Sequence, residues 1–454
     1  MKENKTPIIN KIEIDENTAE PTIVEVPVDQ LPAESQESSK ETAKPNEDLH
    51  LSAKSIGKQM VMKQVLGLNP NNNSTNKRQK LFKNIMTITF LVVVLAVLAI
   101  TFYNDFLSPE AQQNPPNWQE IQATLSQNWF YVIFALLSLL MCFLSKGFKL
   151  SVMCKKMTGK WRIKACMETA IVGHYYNYVT PLAVGGQPFE IYHLSRHGVH
   201  GGVASSMPIA AFFMYQFAFV VLGIFSLIIF TPGANLLQFP DSLMYSTMAA
   251  IARPMAIVGL TTCLLMPLIV VIFCILPKAC AKLVYFVMYL GGKMKLIKNV
   301  KLTTYKTLKT VIGNAKCIKK MGTSPLIFFV TFLISIVEVL ALCSIAYFTL
   351  RFFGFDNPNA WSIMEWAQIV IVCIVLYAAV SFIPTPGNSG AADASFYSLF
   401  KVGLVSVAGL SFPAMLLWRI LSFYSFIIIG FAFTTLKRKS DRKKEQMGVP
   451  LYKE

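Results

Sequence analysis

The sequence predicts an all-α, polytopic membrane bundle of about seven or eight spans plus re-entrant or broken helices, with both termini cytoplasmic. Three observations predict it: long uncharged apolar runs, basic residues gathered in alternate connections, and two Gly/Pro interruptions inside apolar segments. Of the 454 residues, 54% are hydrophobic and only 15% charged, too few to cover the surface of a soluble protein of this size.

Taken in order, the chain opens with a polar, acidic stretch, 12 Asp/Glu against 7 Lys/Arg through residue 60. No apolar segment precedes residue 85, so no secretory signal is expected there. Its Pro, Glu, Ser and Lys content and lack of aromatics predict a disordered cytoplasmic tail over residues 1–76, with a strand-like alternation in Ile8–Val28. The apolar runs follow: Ile85–Tyr103, Trp129–Ser145, Val203–Pro240, Pro254–Pro277, Pro325–Leu350, Trp366–Ile383 and Ile420–Leu436. Each reaches about 18 residues or more, the length that crosses a hydrocarbon core of roughly 30 Å, and Glu338 is the only formal charge in them. Residues 77–437 thus form the transmembrane domain.

Charge sets the orientation. Lys77, Arg78, Lys80 and Lys83 precede the first run, and Asn104–Asn128 has no basic residue. Lys146, Lys149, Lys155, Lys156, Lys160, Arg162 and Lys164 follow the second run and read as topological lysines. Leu236–Ala252 again lacks basic residues, Pro277–Ser324 carries 11 Lys and no acid, and residues 438–454 are a basic tail. The net charge of +17 is therefore concentrated on one side, and its lysines suit the anionic phospholipids of a cytoplasmic leaflet. Residues 277–324 interleave Lys with Leu, Ile and Val, as an amphipathic helix lying on that leaflet would. Nucleic-acid binding is not expected, because no segment outside the membrane is long or varied enough to fold as a basic domain.

Two stretches do not suit continuous helices. In Asn177–Glu190, Pro181, Gly185, Gly186 and Pro188 interrupt a segment too short to cross, between cytoplasmic Lys164 and Arg196. A re-entrant pair of half-helices follows. The second interruption, Phe382–Phe396, contains Pro384, Pro386, Gly387 and Gly390. If Trp366–Ile383 runs inward and the last span ends inside, a broken helix through Gly390–Leu410 must return outward, taking Asp393 and Lys401 into or near the bilayer. Unwound backbone at that depth must be buried in protein or line a wet cavity, and free half-helix N-termini would receive an anion. Paired interruptions of this kind point to a transporter's substrate site.

Thr180-Pro181 with Gly185-Gly186-Gln187-Pro188 and Tyr192, together with Pro384-Thr385-Pro386-Gly387, Ser389-Gly390-Ala391-Ala392-Asp393 and Phe396, resembles the flippase-like transmembrane region of lysylphosphatidylglycerol synthetases, the multiple peptide resistance factor family. The resemblance covers roughly Leu81–Lys437. It implies a stand-alone cell-membrane member that moves an aminoacylated phospholipid or related lipid-linked species between leaflets, contributing to resistance against cationic antimicrobial peptides. Two positions depart from the family: Asp393 stands where Glu is usual, and Asn388 where a second Gly is usual. Full-length synthetases also carry a soluble lysine-transferring domain, which the 18 residues after the last span are not expected to house, so a separate synthetase partner would supply that chemistry. The rival readings are a phosphatidylglycerol lysyltransferase or a subunit of one, and a non-transporting scaffold or regulator.

Ionisable groups at membrane depth are costly and mark function. Asp393 is the first candidate for an ammonium headgroup, with an ion pair to Lys401 or Arg419 as the structural alternative. Glu338 is read as a second cation contact or proton carrier, or as paired with Arg419. Asn177, Thr180, Gly185, Gly186, Gln187, Glu190, Tyr192, Pro386, Gly387, Ser389 and Gly390 complete the expected headgroup site. No catalytic residues and no cofactor are expected, since phosphate-loop, zinc-protease and serine-hydrolase motifs are absent. His193, His197 and His200 have helical spacing, but no further ligand is evident beside them and no metal is expected. The nine Cys are scattered among apolar residues and form no framework. A homo-oligomer is compatible with all of this.

Overall fold

The computed structural model describes residues 8–14 and 21–27, then 98–109, 118–180, 185–199, 201–229, 243–276, 323–355, 363–403 and 409–446, with a few isolated positions between. The chain divides into two units, Met1–Asn73 and Ser74–Glu454. In the first, β1 (Ile8–Ile14) pairs antiparallel with β2 (Pro21–Pro27), Ile8 opposite Pro27, so the strand-like alternation does form a hairpin. The rest of the tail expected to be disordered, nearly all of the 277–324 loop, and most of the first run lie outside the described residues.

The second unit is helical. Its elements are α1 (Trp118–Asn128), α2 (Phe130–Thr158), α3 (Ile163–Val179), α4 (Gly186–Arg196), α5 (Gly201–Ile229), α6 (Leu243–Ile275), α7 (Pro325–Phe352), α8 (Ile363–Val380), α9 (Ala391–Gly403), α10 (Ser411–Arg419) and α11 (Ser425–Gln446). A five-residue π turn, Ile420–Tyr424, joins the last two. Six helical stretches among the described residues are long and apolar enough to span: α2, Gly202–Ile229 in α5, Ala250–Ile269 in α6, α7, α8, and Ser411–Lys437. They coincide with six of the seven apolar runs.

Local chemistry sets several boundaries. Pro325 starts α7 behind an extended Ser324, where its missing N–H costs nothing. Gly159 ends α2 in the left-handed region (φ 73°), donating its N–H to Lys155 O. Along α7, Leu326, Phe329, Leu333 and Val337 share one exposed stripe while Thr331, Ser335 and Glu338 are buried. That pattern is the reverse of a soluble helix and is what a lipid solvent selects. Ile369–Leu376 of α8 is buried on every face, making this helix the centre of the bundle.

Both interruptions are helical hairpins, and they enter from opposite ends. At the base of the α3–α4 pair, His197 and Glu168 meet Lys437 at the far end of the last span. The α8–α9 pair belongs to the other end: Tyr397 of α9 donates to Asp105 Oδ1 (2.6 Å), whose second oxygen accepts the Phe412 N–H at the start of that span (2.6 Å). The expected re-entrant pair and the expected broken helix are therefore both present as helix–turn–helix hairpins.

Candidate functional site

The tips of the two hairpins line a single cavity of about 260 Å³. Asn177, Tyr178, Gln187 and Glu190 come from the first break, Gly387 and Asn388 from the second, and Tyr215, Glu338 and Tyr377 from the surrounding helices. Glu338 and Lys146 sit mid-way along their spans, so the cavity lies near the middle of the bundle.

Two ion pairs charge its wall. Lys146 Nζ lies 2.7 Å from Glu190 Oε1, joining α2 to α4, and Lys149 Nζ lies 2.7 Å from Glu338 Oε2, joining α2 to α7. Lys149 also donates to Ser335 Oγ (3.1 Å). All four charged side chains are at most 10% exposed. Breaking either pair would strand a buried charge, so each pair is held unless a ligand supplies replacements. Between them His174 is buried, and its Nε2 makes no hydrogen bond. A buried polar atom without a partner in a cavity wall is a ready contact for a polar ligand. Gly173 makes room for this arrangement: a Cβ there would overlap the Glu190 carboxylate and crowd Lys146 Nζ.

The first break is closed by the last turn of α3. Thr180 Oγ1 accepts the Gly185 N–H (2.9 Å) and Asn177 Oδ1 accepts the Gly186 N–H (2.9 Å). At the second break, Gly387, Asn388 and Gly390 all adopt positive φ (57°, 53° and 88°), which turns the chain sharply through a single 3-10 turn, Pro386–Asn388. Asp393, in the first turn of α9, reaches back to accept the Gly390 N–H (2.9 Å), as an acidic residue does in a capping box. Its other oxygen lies 2.8 Å from Arg419 Nε. Arg419 donates onward to Gly387 O (3.1 Å) and Ser389 Oγ, and its guanidinium stacks over the Phe423 ring (4.3 Å). One arginine thus pins the whole turn, from the last position of α10 directly before the π turn.

Residues 91–430 match the family described as lysylphosphatidylglycerol synthase TM region. The chain belongs to this family. No curated protein matches it significantly.

The structure sorts the expected residues. Asn177, Gln187, Glu190, Gly387 and Glu338 reach the cavity. Thr180, Gly185 and Gly186 shape the first break, while Pro386, Ser389, Gly390, Asp393 and Arg419 build and pin the second, behind the cavity wall rather than on it. Tyr192 lies on the exposed side of α4 beneath Arg196 (5.8 Å), and Lys401 is half-buried in the last turn of α9. Asp393 pairs with Arg419 and not Lys401, and Glu338 pairs with Lys149 and not Arg419. The N–H groups of Gly185, Gly186 and Gly390 are satisfied by side chains, so these three donors at the half-helix starts are already filled.

Lys146 and Lys149, read from sequence as topological, are buried members of the site. Their signal was present: α2 continues apolar through Leu150, Met153 and Cys154, so both lysines fall inside the span, three apart on one face. The family departures are also accounted for. Asn388 is the one non-glycine at positive φ among the described residues, and Asn tolerates that region best of the side-chain-bearing residues. Asp393 closes the same cap a Glu would.

Proposed function

We propose that this protein moves a phospholipid with an aminoacylated headgroup, or a related lipid-linked species, between leaflets by passing the headgroup through the cavity where the two hairpin tips meet. The reading is carried by the two buried Lys–Glu pairs that converge there. Such a headgroup bears a phosphate and ammonium groups. It can exchange with both pairs at once, its phosphodiester oxygens bridging Lys146 and Lys149 and its ammonium groups meeting Glu190 and Glu338. Every buried charge then keeps a partner of opposite sign at membrane depth, with the single phosphate charge shared by the two lysines. His174 Nε2 and Gln187 then take remaining polar atoms, and the acyl tails stay in lipid. Separation of Lys146 from Glu190 removes the charged tie between α4 and α2, and separation of Lys149 from Glu338 removes the one between α7 and α2. Occupancy of the cavity is thereby coupled to the packing that closes it.

The test is direct. Purified chain is reconstituted into vesicles containing lysylphosphatidylglycerol, and a membrane-impermeant amine reagent reports the fraction in the outer leaflet over time. Transbilayer exchange faster than in protein-free vesicles is expected, with Glu190→Gln and Lys149→Ala slow. Exchange at the protein-free rate, together with unchanged lipid asymmetry in a deletion strain, would remove the reading.

A further inference from the structure

A second cluster, outside the cavity, lies at the base of the α3–α4 hairpin. His193 in the last turn of α4 and His197 at its C-cap face Glu168 of α3, their Nε2 atoms 3.3 Å and 3.2 Å from the same carboxylate oxygen, Oε2. The three ligand atoms all lie within 4.8 Å of one another. The Lys437 ammonium, from the end of the last span, bonds the same Glu168 oxygen and lies 3.3 Å from His197 Nε2.

The hydrogen bonding of His197 constrains what this cluster holds. Its Nδ1 is 2.8 Å from His193 O, and a carbonyl only accepts, so Nδ1 carries the proton. In the neutral ring, Nε2 is then a lone pair aimed at a carboxylate oxygen. Two acceptors at that distance repel unless a proton or a cation bridges them, and here the Lys437 ammonium, bonded to the same oxygen and 3.3 Å from Nε2, holds the place a metal ion would take. A ring whose Nδ1–H is fixed on a backbone carbonyl, leaving Nε2 outward, is also the arrangement that orients a metal-binding histidine. Spacing agrees: ligands bound tetrahedrally at about 2.0–2.1 Å sit roughly 3.3 Å from one another, close to the two contacts to Oε2. The backbone is held as well, since Arg162 donates to His197 O.

We infer that Glu168, His193 and His197 form a binding site for a divalent transition metal of the zinc type, with Lys437 as the protein's own competing cation. Two imidazoles and one carboxylate are a donor set suited to Zn²⁺, and three protein ligands leave a fourth position open. A bound ion clamps α3 to α4 and displaces the Lys437 ammonium, which removes the charged tie between the end of the last span and the base of the hairpin. With no ion, Lys437 joins α11 to both half-helices. The site is therefore a metal-dependent choice between two ways of anchoring the hairpin whose tip lines the cavity.

The experiment uses the full chain, purified in detergent and stripped with chelator, titrated with ZnCl₂ by calorimetry and with Co²⁺ by visible absorption. Other His and Cys residues make the comparison between variants the readout. The wild type should bind one equivalent more than His193→Ala/His197→Ala, or bind it at least about tenfold more tightly, with a tetrahedral Co²⁺ spectrum absent from the double variant. Lys437→Ala, which removes the competitor and leaves every ligand, should bind Zn²⁺ more tightly than wild type. Equal binding by wild type and double variant, or no tightening in Lys437→Ala, would overturn the assignment.

Discussion

Lys149 and Glu338, 189 residues apart in the chain, meet at 2.7 Å in the interior of a membrane bundle, each almost wholly shielded from its surroundings. Removing one partner leaves the other as a bare charge. Lys149→Ala or Glu338→Gln should therefore destabilise the fold by about 3–5 kcal/mol, whereas Lys149→Met with Glu338→Leu should cost far less or nothing. A double-mutant cycle on thermal unfolding in detergent measures the difference. On the proposed function the same charges serve the headgroup, so lipid exchange should slow in all three. A stable, transport-competent double variant would make the pair purely structural.

Gly173 tests the second pair without touching a charge. A methyl group there overlaps the Glu190 carboxylate. Gly173→Ala should slow exchange at least about tenfold, the factor that roughly 1.4 kcal/mol of lost binding gives. Unaltered exchange in vesicles would separate Glu190 from transport.

The family departure at Asn388 gives a backbone prediction. Left-handed backbone costs ordinary residues roughly 1–2 kcal/mol, Asn less and Gly almost nothing. Asn388→Gly should keep or slightly raise the unfolding temperature, and Asn388→Val should lower stability by at least about 1 kcal/mol. Equal stability of the two variants would mean that the turn relaxes to another conformation.

Asp393 divides positioning from binding. Asp393→Ala strands the Arg419 guanidinium and should cost about 3–5 kcal/mol, while Asp393→Glu, the usual family residue, should retain both fold and exchange. If Asp393→Ala folds normally and loses only lipid binding, the carboxylate contacts the headgroup itself and the pinning role assigned to it is wrong.

The amino-acid chain carried a good deal of this in local form. Six spans were legible because crossing hydrocarbon demands a continuous apolar length, and both breaks because Pro and Gly disrupt a helix wherever they fall. Gln187 and Glu190 were picked out from their position beside a break, and both line the cavity. Lys146 and Lys149 were missed, since a lysine near a span end reads as an anchor until its neighbours show that the helix continues past it. Glu168 was missed as a partner of His193 and His197 because it lies on a different helix.

What the sequence determined by itself is the solvent and the break points: apolar length selects the bilayer, and Gly/Pro placement selects where backbone must leave the helix. The tertiary structure alone decided that the two breaks face one cavity, that Glu338 answers Lys149 and Asp393 answers Arg419, and that Lys437 closes on Glu168. The reason is physical. Apolar burial and backbone propensity act over a few residues and leave a periodic trace, but an ion pair is satisfied by any opposite charge that packing brings within reach, and packing is not written at either partner's position.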